Sequence, residues 1–342
     1  MRFLLAMTTL ALGLTLSVAS CALSGFDKAP YGHGGGGGAG GSCQHAGAPE
    51  RPTIADQGGS LDLVFALRTV DFGEDQPLPD RPGLDLDLAC TCEEANPAQC
   101  VLPTYAVPDM RCDSADGRDN AAADLVGYIK KNAGSGSKQF TDSIGAGKWS
   151  ILVHVTGYDG SPNDSKVTLE MYMTPGIAPA MPLWDGQDVW PLKAESFSGA
   201  DPVIVDKNAY VANGELVSLV TGELRLDGGL RVRIGSGRAK AKLVHAGTAW
   251  KLEEGLLAGT WEARDALAGI GNLLFLGIKV CDTPLYSGAH AAVCDRVDIA
   301  SAPSLPCDSL SFGMRFTADS AQLGAVALPD VAPVPCKVDQ CG

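Results

Sequence analysis

Histidines, the commonest general bases, are sparse in the part of this sequence expected to fold, which contains three of them. His154, near Asp159 and Asp164 of the predicted hairpin turn, forms the one constellation that suggests catalysis. A Ser–His–Asp triad is assembled in space from distant residues, so His154 is the one starting point for a hydrolytic site. The chain has no GxSxG elbow, no HExxH helix and no glycine-rich phosphate loop. The sequence therefore favours a non-catalytic protein, with a secreted hydrolase of unrecognised type as the alternative.

Three aspartates, Asp113, Asp116 and Asp119, surround Gly117 and invite comparison with a calcium loop. Positions counted from that glycine miss the EF-hand spacing, because a cysteine and an alanine stand where oxygen ligands belong. Asp119 and Asn120 also have a simpler role, since either can cap the helix predicted to follow. The sequence therefore predicts no cofactor, and calcium is the one ion that these carboxylates could hold.

Two sets of side chains are candidate ligand-binding groups. Trp184 and Trp190 lie in a Pro-rich segment, where paired indoles suit a sugar and equally suit the core of a folded loop. Six basic residues alternate with apolar ones, and they are Arg225, Arg231, Arg233, Arg238, Lys240 and Lys242. On an acidic chain this basic face suits a polyanion. Solvent, or acidic residues of the same chain, are the alternative neighbours.

Residues 1–20 have the pattern of an export signal, in which Arg2 precedes an apolar stretch too short to span a membrane comfortably. The sequence VASC at 18–21 follows and resembles the lipobox of bacterial lipoproteins. That resemblance implies acylation of Cys21, and Ala22, where an aspartate would signal inner-membrane retention, implies the outer membrane. Two acyl chains suffice for stable anchoring. Ordinary cleavage nearby, with Cys21 a plain thiol, is the alternative.

The cysteine count indicates an oxidising compartment, because the chain has 11 cysteines and acylation of Cys21 leaves an even number. We predict five disulfides among the remaining ten, Cys43, Cys90, Cys92, Cys100, Cys112, Cys281, Cys294, Cys307, Cys336 and Cys341. Cys281 and Cys294 bracket a loop that a disulfide would close. The C-terminal pair, Cys336 and Cys341, is expected to join each other or Cys307. A zinc cluster fits less well, since there is no CxxC pair.

Composition and charge limit the classes of partner and the domain plan. The net charge of −14 excludes nucleic acid as the expected partner, which would require a basic footprint. Residues 21–50 contain a glycine run that cannot bury apolar surface, and they are predicted to form a flexible, lipidated tether. Residues 51–342 are predicted to form a disulfide-rich β domain, either as one unit or as two halves, 51–175 and 200–342.

The elements that must position these side chains are mostly strands. The clearest is Gly147–Met173, where apolar and polar residues alternate in two arms around a turn rich in Gly, Pro, Asn and Asp. A further alternating strand is predicted at 84–92. Turn signals at 213–214, 227–229 and 235–237 divide the later chain into short strands. This pattern predicts a mainly β fold, an antiparallel sandwich with a few short helices.

Helices are expected in two regions. Residues 121–132 follow Asp119 and Asn120, either of which offers an N-cap, and they have two lysines in the last turn and Gly134 beyond it. Residues 256–280 are rich in Leu and Ala and are predicted to form two short buried helices. The GxW…YDG…ND…V pattern of Gly147–Met173 resembles laminin-G and concanavalin-like sandwiches, which implies a jelly-roll arrangement.

The leading functional hypothesis combines the export signal with the absence of catalytic motifs. It is a surface-tethered envelope lipoprotein that binds a glycan or an anionic envelope polymer, without catalysis, or serves a structural role. Its partners would be the membrane, through the lipid anchor, and that polymer. Fold alone does not settle function, so the site itself must decide.

Overall fold

Eight antiparallel strands form the main sheet, and this sheet closes on itself as a barrel. The computed structural model describes residues 44–92, 100–108, 112–226, 229–247, 249–275, 277–300, 305–329, 336–337 and 339–342. These residues belong to the unit Gly40–Gly342. Within these ranges no helix is long and apolar enough to cross a membrane. The predicted leader, Cys21 and the first part of the tether lie outside the described residues.

The described elements are short helices and strands of unequal length. The strands are β1 (Leu61–Asp71), β2 (Ser150–Tyr158), β3 (Asp164–Thr174), β4 (Val189–Leu192), β5 (Phe197–Ser198), β6 (Asp201–Pro202), β7 (Ile204–Ala212), β8 (Glu215–Arg225), β9 (Arg231–Ala246), β10 (Ala249–Glu262), β11 (Leu274–Phe275), β12 (Ile278–Lys279), β13 (Ser309–Ser320) and β14 (Gln322–Val326). The helices are α1 (Ala121–Ala133), α2 (Ser137–Gly145), α3 (Ala263–Gly271) and α4 (Leu285–Cys294).

The barrel has the strand order β1-β13-β10-β9-β8-β7-β3-β2, and β1 also pairs with β2. The predicted mainly β, antiparallel fold with a few short helices is confirmed. The predicted sandwich is not what forms, because pairing of β1 with both β13 and β2 leaves the main sheet without a free edge. Strands from 51–175 and from 200–342 contribute to this one barrel.

The barrel interior is filled by apolar side chains from every strand, including Phe65, Val153, Leu169, Val220, Ile234, Leu257 and Phe312. The predicted hairpin Gly147–Met173 is confirmed as β2 and β3, which pair from Ser150 with Thr174 to Thr156 with Thr168. Its inward residues are buried, as the alternation requires. An eight-stranded barrel is just wide enough for side chains to fill, so its interior is core rather than channel.

The chain between β3 and β7 packs on the outside of the barrel. Trp190 and Leu192 of β4 join Leu152 and Tyr172 in a second apolar cluster there. β4 pairs in parallel with β14, which gives this covering segment a small sheet of its own. The outer face of β2 and β3 is therefore partly buried as well as the inner one.

Residues 84–92 do not form the predicted strand. Asp85 Oδ1 accepts a hydrogen bond from Leu88 N at 2.6 Å, and Leu88 has a φ of 59°. Such local turns compete with strand pairing, which is why aspartates are poor strand residues. Leu84 packs instead against Leu256 on the outside of the barrel.

Two predictions in the later chain are wrong for a related reason. Residues 256–262 belong to β10 and only 263–271 form a helix, whereas helices were predicted throughout 256–280. Leu257 faces the interior and Ala258 packs outside, so burial on both faces removes the alternation that identifies a strand. Residues 235–237 are not a turn but lie within β9, at an irregularity of its pairing.

The predicted helix at 121–132 is confirmed as α1. Asn120 caps it, since its side-chain oxygen accepts a hydrogen bond from Ala123 N at 3.2 Å. Gly134 ends it in the left-handed conformation, with φ 72°. The Asn120 amide also donates to the carbonyl oxygens of Phe72 and Gly313, so the cap fixes α1 against two barrel strands.

Disulfides link distant parts of the chain, and the described pairs are Cys92–Cys112, Cys100–Cys307, Cys281–Cys336 and Cys294–Cys341. The prediction of disulfide bonding is confirmed for these, and Cys90 is also disulfide-bonded. Cys43 lies outside the described residues. The predicted closure of Cys281 on Cys294 is wrong, because α4 intervenes and its ten residues rise about 15 Å. Both cysteines bind the C-terminal tail instead.

Candidate functional site

A cavity of about 360 Å³ lies among the four helices at one end of the barrel. The helices gather there because α2 leads into β2, α3 follows β10, and α4 precedes β13. The wall of the cavity is mostly aliphatic, and its deeper members include Val126, Ile129, Ile270, Leu273, Val280 and Ala289. This space is a largely apolar cavity that side chains do not fill.

Helical spacing explains how the sequence builds these walls. Val126, Ile129 and Ala133 of α1 follow the i, i+3, i+7 pattern and so share one face of that helix. Leu285 and Ala289 of α4 lie one turn apart on the facing side. Ala289 is buried, so its small side chain leaves space that a larger one would occupy, whereas Ala133 lies exposed at the end of α1.

Contact between α1 and α4 depends on a glycine. A Cβ atom placed on Gly288 would lie 2.3 Å from the hydroxyl oxygen of Tyr128, which is closer than atoms can approach. Gly288 therefore lets Tyr128 reach the α4 backbone. This close approach positions Ala289 of α4 opposite the α1 wall of the cavity.

The mouth of the cavity is polar on one side and apolar on the other. Asn132, Ser135 and Gln139 lie on the α1–α2 side, and the Asn132 amide donates to Tyr128 O at 2.8 Å. Leu274 lines the other side and is 61% exposed. Ligand pockets commonly combine an apolar wall with a few polar groups that orient the ligand. A molecule with an apolar body and one uncharged polar end fits this arrangement.

Comparison with protein-family models, curated proteins and solved structures finds no match to this chain. The function therefore has to be inferred from the chemistry of the site. An engineered apolar cavity of about 150 Å³ stays dry and binds benzene. This cavity, at about 360 Å³, is more than twice as large, so it can hold roughly two to three rings or an alkyl chain of similar volume.

The cavity residues were not singled out by sequence analysis. They come from all four helices, from β11 and from the segments between them, and the apolar ones look like ordinary core residues within their own segments. The one sequence signal is Ala289, a small residue at a buried position of α4. A pattern of apolar residues predicts that a face is buried but not that the facing helices leave a gap.

The predicted basic face lies on β8 and β9 and is largely paired with acids of the same chain. Arg225 contacts Glu195 at 2.8 Å and Glu223 at 3.2 Å. Further pairs are Arg231–Glu223, Arg233–Glu223, Arg233–Asp265, Lys240–Glu215 and Lys242–Glu254. Lys240 is buried and its partner Glu215 is half-buried, whereas Arg238 is exposed. This geometry favours the alternative in which acidic residues of the same chain offset the like-charge repulsion.

The two candidate tryptophans serve packing of the segment between β3 and β7. Trp190 is fully buried in the second apolar cluster, so its ring cannot stack on an external sugar. Trp184 packs against Trp190, with ring centroids 5.8 Å apart, and the Arg68 guanidinium lies 5.4 Å from its ring. Trp190 is therefore a core residue, which is the alternative that the sequence left open, and Trp190 covers one face of the Trp184 ring.

His154 does not join the carboxylates predicted for it. Its Nδ1 lies 2.9 Å from Glu170 Oε2 and its Nε2 lies 2.8 Å from Asp62 Oδ1. Asp159 and Asp164 instead fix the β2–β3 turn, where Asp164 accepts a hydrogen bond from Asp159 N. With a carboxylate at each ring nitrogen, His154 has no nitrogen directed at a hydroxyl nucleophile, as a general base requires.

A cluster of buried carboxyl groups lies beside the barrel. It contains two of the three predicted calcium ligands, Asp113 and Asp119, which share a hydrogen bond, together with Asp87 and Asp298. Burial, helped by repulsion from Asp87 and Asp298 and opposed by a hydrogen bond from Thr91 N, raises the pKa of Asp113 to about 8. Asp116 has φ 63° and forms a separate turn. The predicted calcium trio is therefore not assembled as such.

The same region offers oxygen atoms at a spacing that a metal ion could accept. One oxygen from each of Asp85, Asp87 and Asp119 lies within 4.8 Å of the other two. Carboxylate oxygens are the ligands that Ca²⁺ prefers. Protonation can neutralise two of these groups, since burial raises the pKa of Asp87 and raises that of Asp119 well above its usual range. The cluster by itself is therefore no more than a set of buried acids.

Proposed function

We propose that this chain is an exported binding protein that holds a small, mostly apolar ligand in the cavity at the helical end of the barrel. The observation that carries the proposal is the combination of an aliphatic wall with amide and hydroxyl groups at the mouth. The barrel supports it by acting as a rigid, fully packed base for the helices. A polyanionic or glycan ligand has less support, because the basic side chains and Trp190 already have partners within the chain.

Filling the cavity from α4 should abolish binding without unfolding the protein. Ala289 is almost completely buried against the cavity, so Ala289→Phe would place a ring in the space that the ligand needs. We expect affinity for N-phenyl-1-naphthylamine, followed by its fluorescence, to fall by more than about tenfold. Thermal stability should hold or rise, since a side chain that fills a void restores lost contacts.

The matched control is the same substitution on the exposed side of the same helix. Ala291→Phe adds an identical ring at an exposed position that does not line the cavity. The control should bind the probe as the natural chain does. Equal loss of binding in both variants, or unchanged binding in Ala289→Phe, would show that the probe binds elsewhere and would remove the basis of the proposal.

We also propose that the protein is anchored in the cell envelope through an acylated Cys21. The support is the lipobox-like sequence at 18–21 and the even number of cysteines that remains for disulfides. Intact mass of the membrane-extracted protein should correspond to a chain that begins at Cys21 and carries two or three acyl groups. An unmodified mature chain that begins at another residue would contradict the anchoring proposal. The proposal that the cavity binds a ligand would not depend on that result.

A further inference from the structure

The C-terminal tail is fastened to both ends of α4, a helix that lines the cavity. We call residues 336–337 and 339–342 the strap. One disulfide joins Cys336 to Cys281, just before α4, and a second joins Cys341 to Cys294, the last residue of α4. The ten residues of α4 rise about 15 Å, and the stretch from Cys336 to Cys341 can extend to about 17 Å. The strap is therefore long enough to follow the helix from end to end.

α4 presents different faces to the strap and to the cavity. Tyr286 and His290 are one turn apart and share a face. The Tyr286 hydroxyl donates to Asp339 Oδ2 at 3.2 Å, and His290 Nε2 lies 3.3 Å from Gln340 O. Ala289 lies on another face and lines the cavity. The strap therefore supports from behind the helix that forms one wall of the cavity.

The Cys281–Cys336 disulfide also contacts the end of α3. The Cys336 amide donates to Asn272 Oδ1 at 3.2 Å. A Cβ atom placed on Gly271 would lie 3.4 Å from Cys336 Sγ, so the α3 backbone packs directly on the disulfide. The residues next to these contacts in the chain line the cavity, and they are Ile270, Leu273 and Val280. This disulfide therefore holds together two segments of the cavity wall.

α4 is a weak helix by itself. Its ten residues are fewer than an isolated helix needs to be stable in water. It contains Ser287 and Gly288, and no side chain caps its N-terminus. Its buried residues are small: Ala289, Ala292, Val293 and Cys294. Because burial stabilises in proportion to apolar area, the position of α4 depends strongly on its covalent links to the strap.

Solvent reaches both sulfur-bearing residues of the Cys281–Cys336 bond. Cys281 and Cys336 are half-buried, whereas Cys294 of the second disulfide is only 4% exposed. Thiol–disulfide exchange requires a thiolate to reach one sulfur of the bond, so access limits its rate. An oxidising compartment, as proposed for this exported chain, would keep the bond closed.

We propose that the Cys281–Cys336 disulfide is a redox latch on the cavity, closed while ligand is held and opened by a dithiol reductant to release it. This inference rests on the proposed function, because it assigns regulation of the same site. One thiolate of the dithiol attacks a sulfur of the bond, and its second thiol then resolves the mixed disulfide. The bond takes up two electrons and two protons and becomes two cysteine thiols, while the dithiol becomes an intramolecular disulfide. Opening frees Val280 and the start of α4 from the end of α3, so the apolar wall loses its shape.

The test compares probe affinity before and after reduction. Dithiothreitol should lower the affinity of the natural chain for N-phenyl-1-naphthylamine by more than about tenfold, because a binding-competent fraction of one tenth lowers the apparent affinity by that factor. Alkylation and peptide mass should show that Cys281 and Cys336 have become thiols. Cys281→Ala with Cys336→Ala should have the low affinity without reductant and should not respond to it.

The matched control removes another accessible disulfide. Cys92 is exposed and Cys112 is half-buried, and neither lines the cavity. Cys92→Ala with Cys112→Ala should therefore bind the probe as the natural chain does and should keep the full response to dithiothreitol. Circular dichroism should show that both double variants keep their strands. If one of them does not fold, the reduced natural chain alone decides.

A loss of affinity that follows reduction of Cys281 and Cys336 and is absent from their double variant would support the latch. Unchanged affinity once these thiols are alkylated, or a bond that dithiothreitol does not open, would overturn it. Equal losses in both double variants would also overturn it, since general destabilisation would then be responsible. In each of these cases, binding to the oxidised chain that Ala289→Phe blocks would keep the proposed function. Binding that Ala289→Phe leaves unchanged would reject the proposed function and the latch together.

Discussion

Replacing Cys100 and Cys307 together by alanine is expected to lower the free energy of unfolding by roughly 5 kcal/mol. The two residues are 207 apart in sequence, so their disulfide closes by far the longest of the described loops. Closing a longer loop removes more conformational freedom from the unfolded chain. Both sulfurs are buried, and Cys307 N donates to Val101 O at 2.9 Å, which places the bond within a packed junction. Denaturant unfolding of the double variant under oxidising conditions measures the loss.

The matched control is the short loop closed by Cys92 and Cys112, which are 20 residues apart. Its removal by the same substitutions should cost roughly 3 kcal/mol, because loop entropy grows only with the logarithm of length. The difference between the two double variants is the quantity that tests the loop-length account. If the short loop costs as much as the long one, strain or residual structure in the unfolded state outweighs chain entropy.

Alternation along a strand predicted those elements of the barrel that bury one face. β2 and β3 alternate cleanly because one side faces the barrel interior, and they were recognised from Gly147–Met173. Residues 256–262 of β10 lack this alternation, because Leu256 packs outside the barrel against Leu84 while Leu257 packs inside. Burial of both faces removes the period of two, and Leu and Ala then satisfy a helical pattern equally well.

Barrel closure itself could not be read from the residues. A sandwich and a barrel both require short alternating strands and turns, and they differ only in which strands pair. Closure depends on β1, because one of its edges pairs with β2 and the other with β13. The β13 partner of Phe65 is Ser320, which lies more than 200 residues later in the chain. No local signal specifies such long-range pairing, and the same holds for the cysteine partners.

The candidate site was out of reach of sequence reasoning for a different reason. A cavity forms where facing surfaces do not fill the space between them. It therefore depends on how α1 and α4 are placed relative to each other and not on the residue pattern of either helix. The predicted basic face was real as a pattern, yet its acidic partners, Glu195 and Asp265, come from distant segments. Charge alternation predicts which side chains share a face and not what lies opposite them.

The protein is expected to be more stable at about pH 5 than at about pH 8, because Asp298 is buried and its carboxyl pKa is raised. Burial is the main cause of the rise and repulsion from Asp87 contributes, while hydrogen bonds from Ser311 N and Oγ oppose it, and the resulting pKa is about 7. A raised carboxyl pKa means that the folded state holds the proton more tightly than the unfolded chain. The stabilisation is therefore complete below the ordinary carboxyl range and is lost as pH rises through about 7.

The size of the effect is large for one group. A rise from 3.8 to about 7 corresponds to roughly 4 kcal/mol of stability, of which roughly 3 kcal/mol is lost between about pH 5 and about pH 8. Asp113 shifts in the same direction, to about 8, so it extends the loss to higher pH. Thermal unfolding should be followed across this range with a chelator present, because a bound cation would neutralise the carboxylates and hide the titration.

Asp298→Asn separates this titration from any other cause. Its amide keeps the shape of the protonated acid and can still accept from Ser311 N, but it cannot ionise. The variant should match the natural chain near pH 3, exceed it increasingly as the pH rises to about 8, and lose most of the pH dependence in between. The control, Asp185→Asn, changes an exposed carboxylate and should leave the profile unaltered. Equal profiles for Asp298→Asn and the natural chain would contradict the prediction, because they would mean that Asp298 stays ionised in the folded state. An ionised Asp298 would require a cation beside it, since Asp87, Asp113 and Asp119 are acidic groups that repel its charge.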